Sequence, residues 1–241
     1  MPAGQQRIGL ICPPDHEMFG PVAEHLRDRG FDVEFFEPGV ELAPTRLDEL
    51  DLLVNKKVRW ASIQALRYAH RADIAAWNDY TTSMVFLNRL SQLGALSAVG
   101  FSVPEVCSEK PDGEYVAKGF LDIRNDPTLN GEDDFYQPLL AFDGTDYKYY
   151  AVDDGEQIHT AVTRFGSKLF GEREFLGQGE VDAAVETSIR RLMRFTGARG
   201  LGVDVVEVEG EPYAIDVNPA TSFRRTGLED AIVDSLAAAT P

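Results

Sequence analysis

Three oxygen-bearing side chains that could bind a metal lie close together near the end of the chain: Asp204, Asp216 and Asn218. The short apolar segments around them predict two β-strands joined by a turn at 209–211. With this turn Asp204 and Asp216 come roughly opposite each other, and the two-residue period of a strand puts Asp216 and Asn218 on one face. Oxygen ligands of this kind suit Mg²⁺, which takes one or two carboxylates and completes its shell with phosphate oxygens and water. Alternatively, the three are solvated polar side chains on the exposed face of an edge hairpin. We interpret Glu207, on the same hairpin, as such a solvated residue.

The predicted secondary structure changes twice along the rest of the chain. The first part alternates strand-like and helical patterns, which indicates a small parallel α/β unit. A mostly helical stretch at 62–97 follows, with a break near 77–79 that predicts two helices. After about residue 105 short strands follow one another around one long amphipathic helix. The predicted strands are 7–12, 31–36, 50–54, a start near 100–104, 115–118, 135–141, 148–152, 157–162, 202–208 and 213–217, and the other predicted helices are 21–29, 181–196 and 228–239.

The closing segment resembles a known family. Gly202-Val-Asp-Val-Val-Glu and Pro212-Tyr-Ala-Ile-Asp-Val-Asn-Pro219 are similar to the last motif of the ATP-grasp superfamily, in particular its RimK-like carboxylate–amine ligases. The resemblance implies a mixed α/β (α+β) fold in which two α+β subdomains clamp ATP, preceded by a parallel α/β unit. It implies ATP as cosubstrate, with Mg²⁺ (or Mn²⁺) on Asp204, Asp216 and Asn218. It also divides the chain into an N-terminal unit at 1–77 and an ATP-grasp domain at 78–241, the latter made of helices and a short flap at 78–136 and a metal-binding subdomain at 137–241.

The resemblance assigns further residues in family order. Lys118, at the end of Glu114-Tyr-Val-Ala-Lys118, resembles the flap lysine that reaches the ATP phosphates, and Arg89 falls at a first cationic phosphate contact. Phe135-Tyr-Gln-Pro-Leu-Leu140 resembles the hinge strand, where backbone groups near Gln137 and Leu139 would meet the adenine edge. The resemblance implies that Asp146 binds the ribose hydroxyls and that Lys148 contacts phosphate or substrate. It assigns Arg164 to the transferring phosphoryl group, where a cation would act electrostatically on developing charge.

Two features depart from the family pattern. The segment after Lys118 contains only its two end glycines, so the lid over the nucleotide is short, and Arg124 is a candidate replacement contact. After Asn218 the chain carries Arg224 and Arg225 side by side, an anion site that would fit an acidic or phosphorylated small-molecule substrate. A pair of solvated arginines is the alternative.

The formal net charge of −17, with only six lysines, narrows the classes of partner. A strongly acidic surface disfavours nucleic acid, whose phosphates need a positive surface. It fits a high-salt cytoplasm, where carboxylates keep a surface hydrated and salt screens their repulsion. The sequence has no apolar run near the ~20 residues of a membrane helix, no signal-peptide pattern, and two cysteines without metal or disulfide spacing. A soluble cytoplasmic protein is therefore expected, with a homodimer as an open possibility.

Three functions remain open at this level. An ATP-dependent ligase that joins a small-molecule carboxylate to an amine (or thiol) through an acyl phosphate is the leading one. A small-molecule kinase is the second, because the short lid and Asp146-Tyr-Lys-Tyr-Tyr150 resemble inositol-phosphate kinases. A catalytically weak nucleotide-binding protein is the third, favoured if the short lid holds ATP loosely.

Overall fold

The first part of the chain forms a parallel sheet with helices around it. The computed structural model describes residues 5–123, 126–172 and 174–241. The sheet has the order β2-β1-β3-β4, and all its neighbouring strands are parallel. Its buried Ile, Leu and Val side chains form the centre of a hydrophobic core. The elements of this part are β1 (Arg7–Ile11), α1 (Phe19–Asp28), β2 (Asp32–Phe36), α2 (Pro44–Leu47), β3 (Leu52–Asn55), α3 (Trp60–Arg71) and β4 (Ala75–Trp77).

Two consecutive helices, α4 (Tyr80–Leu87) and α5 (Arg89–Ala98), connect this sheet to the rest of the chain. The Asp79 side chain accepts the N–H of Thr82 at the start of α4, and Asn88 caps α5 in the same way. The prediction of two helices at 62–97 was wrong in number. The predicted break at 77–79 lies at the end of strand β4, and Asn88 makes a second break, so that three helices form. The segment 100–104 forms an isolated bridge at Ser102 instead of the predicted strand.

A small sheet of order β6-β5-β7 follows, and a five-stranded antiparallel sheet of order β10-β9-β8-β11-β12 completes the fold. Strand β6 and strand β10 were not predicted, whereas the other strands of both sheets were. The strands are β5 (Tyr115–Lys118), β6 (Thr128–Leu129), β7 (Phe135–Pro138), β8 (Thr145–Asp153), β9 (Ile158–Gly166), β10 (Phe175–Gln178), β11 (Gly200–Val208) and β12 (Glu211–Asn218).

The remaining helices cover the large sheet and the parallel sheet. Helix α6 (Ala183–Thr196) buries an apolar stripe on the large sheet, and α7 (Glu229–Ala239) packs against α1, β4 and β8. The side chain of Asp182 accepts two backbone N–H groups at the start of α6, and Gly197 ends that helix in the left-handed conformation. The predicted mixed α/β class is therefore confirmed. Within the described residues, no helix is both long and apolar enough to cross a lipid bilayer.

Candidate functional site

A cavity of about 670 Å³ lies between the three-stranded and the five-stranded sheet. Its walls combine apolar side chains with charged ones, a composition typical of ligand sites. Most of the residues predicted from the sequence line this cavity: Arg89, Lys118, Gln137, Leu139, Asp146, Lys148, Asp204, Asp216 and Asn218.

The acidic pair at the centre of the cavity is set by the β11–β12 hairpin. Glu209 and Gly210 both have positive φ values (52° and 83°), as the tight hairpin turn requires. Asp204 lies directly opposite Asp216 in the ladder, as predicted, but the register shifts immediately afterwards because Ile215 has no partner on β11. This β-bulge turns the Asp216 side chain towards the cavity. Without it, regular pairing from the turn would place Asp204 opposite Ile215.

Two lysines lie beside this acidic pair, and one of them contacts it. Lys148 Nζ lies 2.9 Å from Asp204 Oδ1. The ammonium of Lys118 donates a hydrogen bond to the carbonyl oxygen of Ile215 (3.0 Å), the residue that the bulge removes from the ladder. Burial lowers the pKa of Lys118, and the charge of Asp216 partly opposes this. Desolvation raises the pKa of Asp216, and the neighbouring charge of Asp204 raises it further.

These residues fit a magnesium ion by their chemistry. Two carboxylates that repel each other in a desolvated site would each be stabilised by a divalent cation. The Oδ1 atom of Asn218 accepts the N–H of Ala220 (2.8 Å), and an amide oxygen has a second lone pair for a metal. Over the described ranges, no cluster of three or more His, Cys, Asp or Glu side chains could hold a metal ion by itself. With these three side chains as ligands, phosphate oxygens and water would supply the rest of the coordination shell, as Mg²⁺ prefers.

Arg89 lines the cavity and is almost completely buried at the start of α5. Its guanidinium donates to the carbonyl oxygen of Gly119 (3.0 Å) and forms an ion pair with Asp122. Burial raises the pKa of Asp122 to about 6, and the charge of Asp216 also raises it, whereas Arg89 lowers it. The sequence analysis missed Asp122, since one more acidic residue in an acidic chain carries no pattern. Its position four residues after Lys118 in the short lid was the only available signal.

Leu139, at the end of the predicted hinge strand, differs from the expectation that its backbone groups meet the adenine edge. Its backbone N–H donates to the carbonyl oxygen of Glu114 (2.9 Å), as part of the β5–β7 pairing, and therefore does not point into an open site. The side chain of Gln137, in contrast, lies on the face of β7 that lines the cavity. Asp146 lines the cavity from β8 and is half-buried.

Three predicted arginines lie outside the cavity lining. Arg164 pairs with Tyr147 in the β8–β9 ladder, next to the pair that contains Lys148, so the alternation of a strand puts it on the other face of the sheet. Arg224 lies 3.4 Å from Glu17 and is exposed. The guanidinium of Arg225 is stacked 4.4 Å from the ring centre of Phe175. Arg124, the candidate lid contact, lies outside the described residues.

No protein-family model matches the chain, and the comparison with curated proteins gave no match. Solved structures, however, are similar over almost its whole length. The ATP-grasp ligase PsnB, in complex with a phosphomimetic variant of a minimal precursor, Mg and ADP, superposes with a TM-score of 0.68 at 18% identity, covering 98% of this chain and 99% of that one. A RimK domain protein from Sphaerobacter thermophilus gives 0.72 at 16% identity (96% and 99% covered). The macrocyclase MdnC from Microcystis aeruginosa, bound to its precursor peptide MdnA, gives 0.70 at 13% identity (97% and 100%).

The chain has the ATP-grasp fold. The fold predicted from the closing hairpin is therefore confirmed, and the similarity extends over both sheets and the N-terminal unit. Within the ATP-grasp fold of this chain, the acidic hairpin, Lys118 and residues 137–140 surround one cavity.

Proposed function

We propose that this protein is an ATP-dependent ligase that activates a carboxylate as an acyl phosphate and transfers the acyl group to an amine (or thiol). The observation that carries the proposal is the arrangement of Asp204, Asp216, Lys118 and Lys148 around one desolvated cavity. Opposed carboxylates suit a divalent cation, and the two ammonium groups beside them suit phosphate oxygens. Apolar walls near the hinge leave room for a base.

Each residue has a role in this proposal. Asp204, Asp216 and Asn218 would hold Mg²⁺, which, when bound, supplies charge neutralisation for the phosphates. Lys118 and Arg89 would bind phosphate oxygens from the flap side, and Lys148 would do so from the floor of the cavity. Their cationic groups would stabilise the negative charge that develops on the transferring phosphoryl group. Electrostatic stabilisation of this kind is usually the largest single contribution to catalysis of such reactions. Asp146 would hold the ribose hydroxyls.

The placement of the cations gives Lys148 the stronger claim to a catalytic role than Arg164. Lys148 contacts the acidic pair inside the cavity, whereas Arg164 belongs to the opposite face of the sheet. The proposed activity therefore rests on Lys148 and not on Arg164.

We propose the carboxylate substrate and its amine (or thiol) acceptor as chemical classes. The similar PsnB and MdnC structures are complexes with precursor peptides, so a peptide carboxylate is a candidate beside the small-molecule acid expected from the sequence. Arg224 and Arg225, both exposed in the segment after Asn218, are the residues we propose for an anionic substrate group. The limits 1–77 and 78–241 of the proposed domains remain a prediction.

The reaction is tested by incubating the protein with ATP, Mg²⁺ and pooled carboxylates, amines, polyols and acidic peptides at high salt, while ADP and phosphate are measured. ADP and free phosphate that require both an acid and an amine support the ligase. ADP with a phosphorylated product would instead support a kinase, and nucleotide binding without turnover would support a binding protein.

The metal site is tested separately with Asp216→Asn, which keeps the shape of the side chain and removes its charge. We expect this variant to lose the rise in melting temperature that Mg²⁺ with ADP gives the wild type. The matched control is Glu207→Gln, on the same hairpin and exposed, which should keep it. An unchanged rise in the melting temperature of Asp216→Asn would refute the metal assignment.

A further inference from the structure

The segment 52–72 is a positively charged part of an acidic chain. It contains no Asp or Glu, although the whole chain has 40 of them. It includes β3 and α3, and its exposed basic side chains are Lys57, Arg59, Arg67 and Arg71. Within the described ranges neither Arg67 nor Arg71 forms an ion pair, whereas Arg46 and Arg190 each pair with a glutamate three or four residues away. The charges of Arg67 and Arg71 are therefore available to a partner outside the chain.

These two arginines belong to one exposed face of α3. Trp60, Gln64, Arg67 and Arg71 follow one another at intervals of three and four residues, so their side chains form one row along the helix. Trp60 is 54% exposed, although side chains of this type are highly buried on average. Arg67 and Arg71 are four residues apart, and like charges at this spacing repel each other. A partner that covers the row with apolar and acidic groups would relieve both the exposure and the repulsion.

A groove of about 410 Å³ lies beside this row, between α3, α2 and the segment that precedes α2. This α3 groove has a size typical of ligand sites. The hydroxyl of Tyr68 donates to Asp48 (2.7 Å) at the end of α2, which fixes one side chain of the lining. Arg67 and Arg71 line the groove, and Glu41 is a carboxylate in the same lining. The apolar residues of the lining are buried or half-buried: Leu42, Leu47, Ala61 and Ala65.

We propose that the α3 groove is a docking site for an acidic segment of a protein partner, with apolar side chains between its carboxylates. Arg67 and Arg71 bind the carboxylates, and the apolar lining takes the side chains between them. Trp, Tyr and Arg are the residue types that contribute most to protein–protein binding, and the groove and its row of side chains supply all three.

Two properties of the molecule bear on this surface. The net charge of −17 repels an acidic partner mainly at long range, and salt screens exposed charges beyond ~10 Å at 0.1 M. Short contacts within the groove therefore decide whether a partner binds. The lining residues of the α3 groove are different from those of the cavity between the two sheets. The docking site is therefore independent of the proposed function.

The test selects peptides on the whole protein in the absence of ATP and Mg²⁺. A display library of random dodecapeptides is selected in parallel on the wild type and on the double variant Arg67→Gln/Arg71→Gln, and the affinities of the enriched peptides are measured by fluorescence polarisation. Trp60→Ala and Glu41→Gln are measured with the same peptides. The control is Arg194→Gln, because Arg194 is an exposed arginine on α6, away from the groove. All of the replaced side chains are exposed, so every variant should keep the melting temperature of the wild type.

We expect the peptides selected on the wild type to carry Asp or Glu beside apolar residues. The double variant should bind them roughly tenfold more weakly or worse, because it loses hydrogen bonds between charged groups. Trp60→Ala should also weaken binding by roughly tenfold, as the loss of an interface tryptophan commonly does. Glu41→Gln should strengthen binding, since it removes a carboxylate that repels the peptide, and Arg194→Gln should bind like the wild type.

Two results would refute the docking site. One is a wild-type selection without enrichment of acidic residues over the starting library, and the other is equal affinity of the wild type and the double variant for the selected peptides. A second copy of the chain is the competing occupant, and analytical ultracentrifugation identifies it. A wild-type dimer that the double variant dissociates would assign the α3 groove to self-association and overturn the proposal of an acidic partner.

Discussion

Lys56 is a buried lysine that should destabilise the protein at neutral pH, and this can be measured. Its ammonium lies 4.7–4.8 Å from the ring centres of Phe19, Trp77 and Phe223, and among the described residues it has no hydrogen-bond partner. Burial lowers the pKa of Lys56 from 10.5 to about 7, opposed by the charge of Cys12.

The direction of the effect follows from the two states of the chain. Above pH 10.5 the amine is neutral in both states, so its ionisation has no effect on stability. As the pH falls from 10.5 to about 7, the unfolded chain takes up a proton and the folded chain does not, so the free energy of unfolding decreases. The difference between the two pKa values corresponds to roughly 5 kcal/mol. The aromatic rings favour the charged form by about 2 kcal/mol and so raise the pKa of Lys56 in the folded state part of the way back, which leaves a net cost of about 3 kcal/mol at pH 7.

The assay is urea unfolding of Lys56→Met at pH 7, 8 and 9. Methionine keeps the length of the side chain and needs no hydrogen bond. The variant should be more stable than the wild type by about 3 kcal/mol at pH 7, and this gain should shrink as the pH rises. Lys57→Met is the control, because Lys57 is the exposed neighbour, and it should show no such trend. A gain that is independent of pH, or a loss of stability at pH 7, would refute the reasoning.

Two further predictions concern His16 and Asp122. The ring nitrogen Nδ1 of His16 accepts the first backbone N–H groups of α1, and burial, with nearby cations, lowers its pKa to about 4. The contribution of His16 to stability should therefore be constant above pH 6.5 and decrease as the pH drops from 6.5 to 4. In urea unfolding His16→Asn should lose this pH dependence and the exposed His25→Asn should keep it; equal slopes in both would contradict the assignment. Asp122→Asn should bind ADP about tenfold more tightly, because the wild type must first break a charged pair with Arg89 worth about 1.5 kcal/mol or more. Asp126→Asn removes an exposed charge from the cavity rim and should change calorimetric ADP affinity less; weaker binding by Asp122→Asn would indicate a metal ligand instead.

The sequence predicted the elements with strong local patterns and missed those that depend on distant partners. The apolar period of helix α6 and the alternation in β11 gave correct elements, because each pattern lies within the element itself. Strand β4 was missed, since two of its three residues, Ala75 and Ala76, have little strand preference, and the segment is extended through its pairing with β3. Strand β10 was missed for the same reason, as its register depends on β9.

The site was predictable as a set of residue types but not in its geometry. Asp204 and Asp216 were expected to face each other, and they do so only because Ile215 bulges, which no sequence period indicates. The burial of Lys56 could not be predicted either, because in sequence it is half of a polar Lys-Lys pair. It becomes buried when Phe223, from the opposite end of the chain, closes the aromatic cage.

The cations of the cavity each contact an acceptor of the chain itself, and this sets the order in which ligands should bind. Arg89 is paired with Asp122, Lys118 with a backbone carbonyl, and Lys148 with Asp204. A phosphate must therefore replace a protein partner at each cation. A divalent cation would favour this exchange, because it takes Asp204 away from Lys148 and leaves the ammonium available to phosphate. If Lys148 competes with the metal in this way, Lys148→Met should lower the Mg²⁺ concentration that gives half of the shift in melting temperature without nucleotide, and an unchanged or higher concentration would show that the pair does not oppose metal binding.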